Sequence, residues 1–189
     1  MLFEDYAKSF IIKALEQTPP DVAPDVYVVS LLVYDEADDP RFPTVSVGFN
    51  TDAQVAETTD DASDPEEARW NFAFWLQNEL GVLGDTERNP EGAALRQEWL
   101  RGSGLWYEDE DGAFEDQDGQ EPGVTERFVE LIVTITKQLH AEGTIDRIFG
   151  RPIPVLIHEL EYYDEIAEQN LRANPDGLAD EFARWIEGM

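Results

Sequence analysis

The run Val26-Tyr27-Val28-Val29-Ser30-Leu31-Leu32-Val33-Tyr34 is nearly unbroken in apolar and β-branched side chains. A strand sends successive side chains to opposite faces, so a run of this kind is expected to be buried on both. Thr44-Val45-Ser46-Val47-Gly48-Phe49-Asn50 alternates small or polar residues with apolar ones, the pattern of a half-buried strand. The two segments lie close enough in sequence to pair antiparallel. A third strand is expected at Val155-Leu156-Ile157-His158. Pro152 and Pro154 place its beginning at a strand start or a sheet edge.

Helical periodicity fills much of the rest. Phe3, Ala7, Phe10 and Ala14, widened by Tyr6, Ile11 and Leu15, predict a helix over 2–17, ended by Pro19-Pro20. Asp64 can cap a helix with Pro65 at its first position and Glu67 completing a capping box. That helix is expected to reach Leu80 and end near Gly81, although its alternating aromatics, Trp70, Phe72 and Phe74, also fit a strand. Residues 51–63 read as a polar surface connection. Further helices are expected over Glu91–Leu100, over Val124–His140, over 161–171, and from Asn174-Pro175 onward with Leu178, Phe182, Trp185 and Ile186 as its stripe. This order argues for a single α+β domain of 189 residues, a small mixed or antiparallel sheet covered by several helices.

Charge decides which partners are plausible. With 42 acidic and 13 basic residues the net charge is −29, a field that repels phosphate backbones and anionic membranes. No nucleic acid is expected to bind through a basic surface. Such a field suits solubility in a crowded or salty cytosol, and it also suits a basic protein partner. Mimicry of nucleic acid is a third reading. The acidic stretch 107–122 is expected to be a flexible loop, with Asp109, Asp111, Glu115, Asp116 and Asp118 as the candidate partner contacts. Cysteine is absent, which excludes disulfides, thiolate nucleophiles and Cys-based zinc sites. No segment has the roughly 20 apolar residues of a membrane span, and the acidic start Met1-Leu2-Phe3-Glu4-Asp5 is unlike a secretory signal. A cytoplasmic location is the expectation.

The densest polar segment, Ile157 to Asn170, offers His158, Glu161 and Glu165 as candidate metal ligands, because carboxylates four apart share a helix face. The zincin pattern fails, since Tyr162 stands where its second His would be. The acidic stretch fails the EF-hand register whether Gly112 or Gly119 takes the sixth position. Arg101-Gly102-Ser103-Gly104 is no nucleophile elbow, and no phosphate-binding Gly-rich loop is present, so no cofactor is expected. His140 is expected to interact with the carbonyls at its helix end. Trp70, Trp75, Trp99 and Trp106 fit a core, or an interface. Two functional readings follow: a non-enzymatic interaction module that binds a protein through acidic surface, and a metal-binding or metal-assisted domain around His158.

Phe149-Gly150-Arg151-Pro152-Ile153-Pro154-Val155-Leu156-Ile157-His158-Glu159-Leu160-Glu161-Tyr162-Tyr163-Asp164, continuing through Asn174-Pro175, resembles a family of small acidic bacterial proteins described only as a domain of unknown function. The resemblance is firmest over 149–187. It implies an α+β fold and supplies no activity and no catalytic residues. Proteins of that kind look like immunity proteins or inhibitors, which would favour the first reading.

Overall fold

A computed structural model describes residues 1–108 and 123–189 of the chain. The expected strand pair is present as β1 (Val26–Asp35) and β2 (Pro43–Thr51), antiparallel, with Leu31 opposite Val47 and Val33 opposite Val45. The hairpin between them turns through Ala37 and Asp38, both at φ 57°. β3 (Gly81–Leu83) adds antiparallel to β2, and β4 (Val155–His158) adds parallel to β1. The sheet is therefore mixed, in the order β3-β2-β1-β4. In its parallel pair β4 ends with His158 opposite Leu32, and β1 runs on to Asp35.

Both faces of β1 are covered, as its unbroken apolar run requires. On one face Val29, Leu31, Val33, Val45, Val47, Val155 and Ile157 meet three helices. These are α1 (Phe3–Leu15), α5 (Val124–Ala141) and α6 (Thr144–Phe149), which contribute Ile11, Phe128, Ile132 and Ile145 among others; α4 (Pro90–Gly102) packs outside α1. On the other face Tyr27, Val28 and Leu156 meet an aromatic layer. Trp70 of α3 (Pro65–Trp70), Trp75, and Phe182 and Ile186 of α8 (Asp180–Glu187) build that layer, together with Ile166 of α7 (Asp164–Ala173). Each such side chain taken out of water contributes roughly 1.5–3 kcal/mol.

Three expectations need correction. The helix opened by Asp64 does start there: the Asp64 carboxylate accepts from Glu66 and Glu67 N–H, and Glu67 accepts from Ser63 N–H at 2.7 Å. It stops at Trp70 rather than Leu80, because Asn71 turns extended and its side chain caps a new short 3-10 turn over Phe72–Phe74. Residues 71–80 then form an irregular strap across the sheet, with Gln77 at φ 51°. Side chains satisfy much of its backbone: Tyr162 Oη accepts from Phe72 N–H at 2.9 Å, Asn50 Oδ1 from Leu76 N–H at 3.2 Å, and Gln54 Nε2 donates to Phe74 C=O at 3.2 Å. Within the expected connection 51–63 lies a helix, α2 (Asp52–Thr58), capped by Thr51. Finally, Asn174 does not open the last helix, which begins at Asp180; its side chain is engaged with the sheet instead.

Candidate functional site

His158 closes β4 on the face that carries the aromatic layer. Its side chain is 1% exposed and lies 5.0 Å from the ring of Phe72, 5.5 Å from that of Trp75 and 6.4 Å from that of Tyr162, measured between centroids. The Nδ1 atom is 3.0 Å from the Glu159 carbonyl, which can only accept, so Nδ1 carries the proton. Nε2 is therefore the acceptor, and Ser30 of the neighbouring strand donates its hydroxyl to it at 2.8 Å. Burial pushes the imidazole from 6.5 down to about 4, opposed only by the bond to Glu159. Among the described residues no carboxylate faces the ring, and it is neutral at physiological pH.

The structure does not bring His158, Glu161 and Glu165 together. Both nitrogens of His158 are occupied within the core, while Glu161 and Glu165 lie on exposed surface. Among the described residues no group of three or more His, Asp or Glu is placed to hold a metal. His158 lies in the core with both ring nitrogens hydrogen-bonded. The other predicted contacts, Asp109, Asp111, Glu115, Asp116 and Asp118, lie outside the described residues. His140 also departs from expectation: its Nε2 donates to Asn174 Oδ1 at 3.1 Å, and burial lowers its pKa. Of the four tryptophans expected in a core or an interface, Trp70 and Trp75 are buried in the aromatic layer and Trp99 packs on the first core. Trp106 lies against Phe42 with Arg101 5.0 Å from its ring.

What Glu165 does share is a groove. The first half of α5 supplies Thr125, Glu126, Val129 and Glu130 to one wall, and α7 supplies Glu165, Glu168, Gln169 and Arg172 to the other. Glu159 and Tyr163 close one end around a hollow of about 370 Å³. A second hollow of about 250 Å³ continues past Thr125 and Glu159 to Asp35, Leu160 and Glu161. The groove thus opens beyond the C-terminal ends of the parallel strands β1 and β4, where sheets of this kind commonly bind ligands.

Its electrostatics are one-sided. Among the described residues lining the larger hollow, Arg172 is the only cation. Its guanidinium makes a two-pronged pair with Glu130, at 2.6 and 3.2 Å, which holds that carboxyl below its usual range. Tyr163 donates its hydroxyl to Glu159 at 2.8 Å. Burial first, then Glu159, Glu165 and Glu126, hold its phenol well above the usual range, so it remains a donor. Two apolar bodies stand exposed beside these charges, Leu160 at 72% and Tyr163 at 42%. Sequence reading found Glu165 through its helical spacing. It missed Glu126, Glu130 and Glu159, because their convergence depends on α5 packing beside α7, which no local pattern encodes.

Among the described residues no helix is long and apolar enough to cross a membrane. No protein-family model matches this chain, and no curated protein or solved structure matches it significantly, so nothing in those comparisons bears on the resemblance of residues 149–187.

Proposed function

We propose that this protein is a non-enzymatic interaction module that takes a basic segment of a partner protein into the groove between α5 and α7. The observation that carries the reading is the lining of that groove: among the described residues, five glutamates against one arginine already neutralised by Glu130. A lysine or arginine entering it meets Glu126, Glu159, Glu165 and Glu168. Leu160 and Tyr163 offer the apolar contact that charge alone cannot supply. A net charge of −29 steers a basic partner toward the molecule from any side, so it governs the rate of encounter more than the place of contact.

The test separates place from field. A partner is captured on the tagged protein from lysate of its own cells at low salt, purified, and titrated against three variants. The first carries Glu126→Lys, Glu165→Lys and Glu168→Lys. The second carries the same change of charge at Glu57, Asp60 and Asp61, away from the groove. The third reverses Asp109, Asp111, Glu115, Asp116 and Asp118. The groove variant is expected to weaken binding at least tenfold more than the second variant. Equal losses in those two would reduce the interaction to diffuse charge and end the groove reading. The third variant measures what the 109–118 run adds.

A further inference from the structure

The strap 71–80 lies over a buried polar row on the sheet: Ser30 at 3% exposure, Asn50 at 0% and His158 at 1%. Its contacts with that row are unusual. Phe72 and Trp75 cover the imidazole, yet the segment has no strand or α-helical ladder of its own from Asn71 to Leu80. Side chains hold most of it: Asn50, Gln54 and Tyr162 reach in and its own Asn78 reaches out to Phe49, while one backbone bond, Leu80 N–H to the Val47 carbonyl at 2.8 Å, ties its end to β2. Gln77 stands in the left-handed region, a conformation that side-chain-bearing residues rarely adopt. Elements held this way open at lower free energy than strands and long helices do.

We propose that the strap is an acid-released cover and that His158 is its trigger. In the closed state both ring nitrogens are matched, Nδ1–H to the Glu159 carbonyl and Nε2 to the Ser30 hydroxyl. A second proton on Nε2 forces Ser30 to turn from donor to acceptor and leaves a cation with no counter-ion among the described residues. The groups facing it make this plain, element by element. The strap presents Phe72 and Trp75, neither titratable. β1 presents the Ser30 hydroxyl. The segment before α7 presents Tyr162, whose phenol burial raises to about 12, and Glu159, which contributes its carbonyl. Water is the remaining source of solvation, and lifting the strap admits it.

The sign follows from linkage. The ring titrates near 6.5 when open to water and near 4 when covered, so the open state binds the extra proton between those values. Opening is therefore favoured as pH falls from 6.5 toward 4, by roughly tenfold per pH unit, and the effect levels off below that window.

Hydrogen exchange, expressed as protection factors, reads this directly on the amides of Phe72 and Leu76. In the wild-type protein their protection is expected to fall across the window while amides of β1 and α5 keep theirs. His158→Gln keeps an acceptor near the Nε2 position without titrating, and its strap is expected to hold protection throughout. Parallel losses in the two proteins, or loss across strap and β1 together in the wild type, would overturn the proposal. Should His158→Gln fail to fold, Ser30→Ala decides. Removing the hydroxyl that donates to Nε2 moves the midpoint to higher pH, and an unmoved midpoint refutes His158 as the trigger. None of these readouts involves the groove or a partner.

Discussion

Three asparagines do in this molecule what backbone does elsewhere. A carboxamide carries one acceptor and one donor group, as a peptide unit does, and can pair with both polar groups of a strand residue. Asn78 pairs with the N–H and C=O of Phe49, each at 2.9 Å. Asn170 pairs with those of Ile157 at 2.8 and 2.7 Å, and Asn174 with those of Val155 at 2.8 and 2.9 Å. Replacing Asn170 by the similarly sized Leu strands the buried Ile157 N–H and leaves the Ile157 C=O to Gln169 alone. A loss of about 2–4 kcal/mol is expected from unmet hydrogen bonds of this kind, read from the urea midpoint. Asn170→Asp is expected to lose more, because it keeps the acceptor, drops the donor and buries a carboxylate. None of this was legible beforehand. Asn170 sits in a polar helical stretch and Asn174 precedes Pro175, while the strand residues they serve are 13 and 19 positions away.

At the level of elements, what repeats was readable and what is held by contact was not. The stripes of α1 and α5 and the apolar runs of β1 and β4 stand where the sequence places them; β2 stands in place too, but its alternation marks a half-buried strand and nearly all of it is buried. The strap carries no period that its structure uses. A sound N-cap at Asp64 launches six residues of helix, after which aromatic burial and side-chain hydrogen bonds win over helical propensity. β3, at three residues, is too short to leave a pattern. The β1–β2 hairpin gives a test at this scale. Its Ala37 holds φ 57° and ψ 28°, a left-handed conformation that costs a residue with Cβ about 1 kcal/mol or more. Ala37→Gly removes that cost while adding freedom to the unfolded chain, and a net gain of roughly 0.5 kcal/mol is expected, seen as a higher urea midpoint at unchanged slope.

For the whole molecule the excess of carboxylates dominates. Thirteen cations cannot neutralise forty-two acids, and the ion pairs formed, such as Lys8–Glu142 and Arg147–Glu16, are largely exposed and weak. Self-repulsion therefore opposes the folded state at low ionic strength. Raising NaCl from about 0.01 M to about 1 M shortens the screening length from about 30 Å to about 3 Å. Thermal unfolding should move upward by about 2–4 °C for each kcal/mol of repulsion removed. A Tm that stays flat across that range would mean that charge is already compensated in the fold. Composition made this property plain from the start, whereas the gathering of Glu126, Glu159 and Glu165 into one groove needed the fold.

The carboxamides along β4 have a further consequence. An outermost strand ordinarily presents a row of bare peptide groups that another chain can copy, the starting point of sheet-to-sheet growth and of fibres. Here Asn170 and Asn174 already occupy the outward positions of Ile157 and Val155, so that side of the sheet offers no template. Recognition by strand addition is closed there, and the protein's resistance to self-assembly on that side is written in two amide groups as well as in its charge.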